Sequence, residues 1–174
     1  EKTAQADVFE LAHYRQDNAN GAWTRLGVVC TDVRGSACMV QGSASGGAPG
    51  YDAVVLERNP LDRQRMRLMH YQFDATAGWQ RGVVITDQAT GPASLIQSRV
   101  RDCASWGNYE LVVLEGRQLV HYWRDNSRLP RLWRRGQVIS STASGPACLV
   151  QSHFGLVGNF EVVVPEPGGL KHYW

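Results

Sequence analysis

The chain lacks any apolar run of about 18 residues, so no segment reads as a membrane-spanning helix. Its opening stretch, EKTAQADVFE (residues 1–10), has neither the basic head nor the apolar body of a signal peptide. A mature secreted chain has the same appearance, so a secreted location is the expectation and a cytoplasmic one stays open. A Ser-centred nucleophile elbow, a phosphate loop and a dinucleotide fingerprint are all missing, and GGAPG (residues 46–50) reads only as a flexible connection. Cysteine is scarce. The four copies, Cys30, Cys38, Cys103 and Cys148, lack paired metal spacing, and neither a metal nor another cofactor is expected. Charge of one sign is lacking too: a net charge of +2 gives no reason to expect a nucleic-acid partner. Arg124, Arg128, Arg131, Arg134 and Arg135 do cluster around one turn, where they either favour phosphate or sulfate groups or form a solvated loop. No segment sustains a helical period.

What is present is repetition. His-Tyr occurs at His13/Tyr14, His70/Tyr71, His121/Tyr122 and His172/Tyr173, at spacings of 57, 51 and 51 residues. The same spacing carries WTRLGVVCTD from Trp23, WQRGVVITD from Trp79 and WRRGQVISS from Trp133, each a Trp followed by Gly and a short apolar run. GSACMVQGS from Gly35, GPASLIQSR from Gly91 and GPACLVQSH from Gly145 form a third set, and GYDAVVLE, NYELVVLE and NFEVVVPE a fourth. Short Val-, Leu-, Tyr- and Trp-rich segments separated by Gly, Pro, Asn and Asp predict antiparallel strands joined by turns.

In NFEVVVPE, Phe160, Val162 and Val164 alternate with Glu161 and Val163, so both faces are largely apolar and each sheet is expected to lie between others. Four strands per repeat of about 50 residues predict an all-β fold, a β-propeller with about three blades in this chain. The expected divisions are a partial blade at 9–31, blades at 35–87 and 91–141, and a partial blade at 145–174. Closed propellers need four blades or more. Either another copy completes a ring, which favours a head-to-tail homo-oligomer, or the chain is a piece of a longer array.

The order GPACLVQSHF, GNFEVVVPEPGGLKHYW and WRRGQVIS resembles blades of bacterial and fungal sugar-binding propellers. These include the Photorhabdus-type seven-bladed lectins and, more distantly, the tachylectin-like and six-bladed fucose-binding lectins. The resemblance implies a multivalent lectin with pockets between adjacent blades and glycans as partners. Fucose specificity does not carry over. The six-bladed members present an Arg from the second strand and a Glu from the third, whereas the matching strands here carry Asp52, Glu110 and Glu161, then His-Tyr.

Sugars are held by aromatic faces and planar polar groups. Trp79 and Trp133, like Trp23, fall just after a loop, where a ring either lines a rim pocket or closes the blade core. Trp106, His153 and Phe154 lie in loops of unequal length, and Arg124 sits at a strand end; with Trp79 and Trp133 these are the expected carbohydrate-binding residues. The four repeated histidines are expected to be buried and hydrogen-bonded between blades rather than to act as ligands. Glu57, Glu115 and Glu166 recur as well. Glycoside hydrolysis needs two carboxyls in different environments across one cleft, whereas an acid repeated in every copy points to architecture, so no enzyme is expected. Asp17, Asp74 and Asp125 precede turns and are expected to make Asx-type bonds. Cys38 and Cys148 share a repeat position with Ser94, and Cys30 aligns with Ile85 and Ile139, so all three are expected in the core. Cys103 is the candidate for reactivity. Two other readings remain: a propeller module for protein–protein interaction or scaffolding, and a glycan-processing enzyme.

Overall fold

A computed structural model describes residues 9–42, 50–99, 107–127, 129–156 and 158–174. Every regular element among them is a strand. In chain order these are β1 (Phe9–Gln16), β2 (Trp23–Gly42), β3 (Gly50–Arg58), β4 (Met66–Asp74), β5 (Gly78–Thr86), β6 (Ser94–Gln97), β7 (Tyr109–Glu115), β8 (Gln118–Arg124), β9 (Trp133–Ser140), β10 (Cys148–Gln151), β11 (Phe160–Glu166) and β12 (Gly169–Tyr173). They form three antiparallel sheets ordered β1-β2-β3-β4-β5, β6-β7-β8-β9 and β10-β11-β12. All three are meanders. The fold is therefore all-β and antiparallel, and no sheet closes on itself.

The long strand β2 departs from expectation. The repeats imply two strands here, one closing the partial blade and one opening the next, yet residues 23–42 run on as one. Its first half pairs with β1 and its second half with β3, and the register breaks between Val33 and Ala37. Asp32, in the left-handed region at φ 61°, marks the crossing. The β1–β2 hairpin then folds over the sheet that β2 enters, so that Leu11, Val29 and Cys30 pack on Ala53, Val55, Met69 and Tyr71.

Alternation along the strands explains the layering. Ala53 and Val55 face the hairpin, whereas Val54 and Leu56 face the second sheet, where they meet Leu95, Tyr109, Leu111 and Val113. On the reverse of that second sheet, Val112, Leu114 and Leu119 pack on Leu149, Val162 and Val164 of the third. The first and second sheets are thus apolar and covered on both faces, as their sequences imply. The third is covered on one face only. Val150, Val163 and Leu170 are exposed, which corrects the expectation that NFEVVVPE is buried from both sides. Cys148 shares this open face and is exposed rather than core, while Cys30 and Cys38 are half-buried. All three are free thiols, and burial pushes that of Cys30 up to about 11. Cys103 lies outside the described residues. Among the described residues no helix is long and apolar enough to cross a membrane.

The Trp-x-x-Gly of the second sheet has a steric cause. A Cβ on Gly136 would stand 2.7 Å from the His121 ring, because the imidazole of the neighbouring strand passes directly beneath β9. Only hydrogen fits there. The turn aspartates behave as expected: Asp17, Asp74 and Asp125 each accept backbone N–H bonds from residues two or three positions on.

Candidate functional site between the sheets

Pairing register lines up one row of side chains across each sheet. In the second sheet the row is Gln97, Tyr109, Arg124 and Trp133. In the first it is Gln41, Tyr51, Phe73 and Trp79. The third begins the same row with Gln151 and Phe160. Each row packs against the repeated His of the preceding layer, since alternation sends His13, His70 and His121 toward the next layer and Tyr71, Tyr122 and Tyr173 toward the one before.

At the contact of the first and second sheets, the row closes over a buried polar cluster. His70 Nε2 lies 2.7 Å from Asp52 Oδ1, and Gln72 and Tyr109 also donate to that carboxylate. The Arg124 guanidinium sits 4.5 Å over the Tyr109 ring and 5.7 Å from Trp133, a cation–π arrangement. Its Nε donates to Asn126, which donates on to the Gly107 carbonyl. Its Nη2 is 3.6 Å from Asp52, close enough for charge pairing and too far for a hydrogen bond, so that donor has no hydrogen-bond partner among the described residues. Asp52, His70, Arg124 and Asn126 are all at most 5% exposed.

Burial pushes the Asp52 carboxyl up, but the hydrogen bonds from His70 and Tyr109 and the charges of His70 and Arg124 outweigh it and hold the group below its usual range. Burial lowers His70, and the Arg124 charge lowers it further against the pull of Asp52. A neutral His70 fits the geometry: Nε2–H donates to Asp52, and Nδ1 faces Arg124 Nη1 at 3.4 Å as an acceptor. A carboxyl held ionised in this way is no general acid near neutrality.

The contact of the hairpin with the first sheet uses the same positions without charge. His13 meets Tyr51, Phe73 and Trp79 edge-on, at ring-centroid distances of 5.2, 5.9 and 5.6 Å. Among the described residues His13 Nδ1 and Trp79 Nε1 are buried without a hydrogen-bond partner, as is Trp133 Nε1 in the next contact. Between the second and third sheets, His121 Nε2 lies 2.8 Å from Glu110 and the His121 ring 6.3 Å from Phe160. A cleft of about 310 Å³ opens there, walled by His121, Gln137, Val138, Phe160 and Trp174. In the third sheet His172 and Glu161 pair at 3.0 Å. The expected hydrogen bonding of the repeated histidines therefore holds for His70, His121 and His172, but their burial declines along the chain to an exposed His172. His13 has no such partner among the described residues.

A second polar line runs across the sheets through the other recurring glutamate. Tyr122 donates to Glu115 at 2.5 Å, Thr86 of the preceding sheet at 2.7 Å and Arg135 at 3.1 Å. Glu166 repeats the pattern with Tyr173, Ser140 and Thr142. These carboxylates tie one sheet to the next, which accounts for their repetition.

The structure brings Trp133 and Arg124 together in one cluster and places Trp79 at the matching position of the previous contact. Arg124 is interior rather than part of a solvated turn. His153 and Phe154 are exposed in the β10–β11 connection, which Arg99 ties to the second sheet through Ser152 and Gln151. Trp106 lies outside the described residues. Reading each residue within its own strand missed that Asp52, His70, Tyr109 and Asn126 meet Arg124, although the matching repeat positions of Asp52 and His70 were visible. No group of three or more His, Cys, Asp or Glu side chains among the described residues could hold a metal ion. No protein-family model, curated protein or solved structure matches the chain.

Proposed function

We propose that the protein is a non-enzymatic carbohydrate-binding protein whose stacked sheets are blades of a β-propeller, with saccharides held between adjacent blades. The observation that carries this reading is the pair of buried indole donors, Trp79 Nε1 and Trp133 Nε1, at equivalent contacts and without partners among the described residues. A buried donor left unpaired costs about 1–3 kcal/mol, and a ligand hydroxyl offsets that cost. The half-buried Tyr51 and Phe73 rings beside Trp79 supply the apolar faces on which a sugar's C–H patch rests. Exposed Phe154 and His153 form the outer edge of the same end of the sheets. Ring closure through further copies of the chain belongs to this proposal, since weak repeated sites gain avidity on one rigid frame, as does a secreted location.

A glycan array probed with the intact protein, with competition by free monosaccharide, tests the reading. Binding inhibited by free sugar is expected. Trp133→Phe keeps the ring and removes the donor, and at least a roughly tenfold loss of affinity is expected. Silence across the array, or a Trp133→Phe/Trp79→Phe protein that binds unchanged, would end it. A scaffolding role is the second reading, favoured by the exposed apolar face of Val150, Val163 and Leu170.

A further inference from the structure

The β3–β4 turn differs from its counterparts. In the second and third sheets two residues join the matching strands, Gly116–Arg117 and Pro167–Gly168, whereas in the first the connection is 59–65. The extra length brings arginine. Arg58 and Arg63 join Arg67 and Arg81 around a cleft of about 470 Å³ between the first half of β2 and strands β3 to β5, with Tyr71 and Trp79 in its wall. The carboxylates in that lining are Asp32 and Glu57, leaving a surplus of two positive charges.

Both acids are engaged. Asp32 pairs with Arg34 at 3.0 Å. Glu57 is buried and accepts from Arg67, Arg81 and Tyr71, so its charge is shared by two guanidiniums that keep further N–H groups to spare. Arg58 and Arg63 have no ion-pair partner among the described residues. The connection that carries Arg63 is ordered by backbone bonds from Asn59 to Arg65 and from Arg65 to Asp62, and by side-chain acceptors at Asn59 and Asp62. At the matching positions of the second sheet, Arg58 and Arg67 are replaced by Gly116 and Gln118.

We infer that this cleft is an oxyanion site, suited to a sulfate or phosphate group that spans Arg58 and Arg63 and takes the free N–H edges of Arg67 and Arg81. Guanidinium forks match such oxygens in bidentate fashion. A partly enclosed site concentrates the field that attracts them. The cleft shares Trp79 with the proposed saccharide contact but stands on its arginines, and inorganic sulfate tests it without any sugar.

Sulfate is titrated into the full chain by calorimetry at constant ionic strength, with chloride as the balancing ion. Saturable binding in the millimolar range is expected, weakened at least tenfold in Arg58→Gln/Arg63→Gln. Those two side chains hold no ion pair, so the variant's denaturation midpoint should match the parent's. Arg117→Gln/Lys171→Gln removes the same charge elsewhere and should leave affinity within twofold. Equal binding by the parent and the Arg58/Arg63 variant, equal losses in both variants, or no saturation above chloride would overturn the site. A monosaccharide sulfate and inorganic phosphate, run on the same proteins, separate a glycan ester from a free or esterified phosphate by which gives the lower Kd.

Discussion

Two contacts in this molecule are built from matching positions and solved with different chemistry. Where the β1–β2 hairpin meets the first sheet, His13 is surrounded by Tyr51, Phe73 and Trp79. Where the first sheet meets the second, His70 is surrounded by Tyr109, Arg124 and Trp133. The Phe-to-Arg exchange follows the presence of Asp52. That carboxylate is buried against the second contact, and a buried charge is tolerable only with a partner. The hairpin presents no matching acid among the described residues, and an aromatic ring fills the same place. One backbone frame thus accepts either an apolar wedge or an ion pair, provided that both members change together.

The largest effect should come from breaking that pair. Asp52→Asn leaves Arg124 buried without its countercharge and is expected to cost about 3–5 kcal/mol in urea denaturation. Asp52→Asn combined with Arg124→Phe gives the second contact the chemistry of the first, and the double variant should be more stable than the sum of the single losses by at least about 1 kcal/mol. Simple additivity would mean that the two contacts are unrelated solutions.

A smaller effect separates the same contacts through glycine. A Cβ on Gly136 meets the His121 ring at 2.7 Å, whereas one on the matching Gly27 meets nothing within 4 Å. Gly136→Ala should cost about 1–3 kcal/mol through overpacking, and Gly27→Ala should stay within about 0.5 kcal/mol of the parent. Gly42→Ala belongs with the first, because its Cβ would stand 1.9 Å from the Tyr109 hydroxyl. Thermal melts of the three variants check the ranking.

Strand segments and their layering were legible because alternation and turn chemistry are local properties. Val54 and Val55 had to face opposite ways, and sheets apolar on both faces had to be covered. The junction in β2 was not legible. Nothing in CTDVRGS says that Asp32 turns the chain in the left-handed region without ending the strand. Arg124 read as part of an arginine cluster around a turn because its sequence neighbours Asp125 and Asn126 look like a solvent turn. Its interior place depends on Asp52, 72 positions earlier, and on register that only pairing reveals. The basic cleft was hidden for a similar reason, since Arg58, Arg63 and Arg67 look like a charged loop until Arg81 and Glu57 come under them. His153 and Phe154 were chosen from loop position alone, and both are exposed in the β10–β11 connection.

The smallest expected effect is the dependence on pH, and its sign follows from the cluster. His70 and His13 have folded-state values below the ordinary imidazole value near 6.5, both chiefly through burial. The folded chain therefore binds fewer protons than the unfolded one as pH falls, and stability present above about pH 6.5 is lost below it. Each group contributes at most about 1.4 kcal/mol per pH unit. Asp52, also held low, adds a second loss only below about pH 4. Urea midpoints measured from pH 8 to pH 5 should fall on the acid side, and His70→Gln should reduce that slope. An unchanged slope in that variant would show that His70 is already charged in the fold. A charged ring would place an Nδ1–H against Arg124, and the tautomer that joins Asp52, His70 and Arg124 into one network would be wrong.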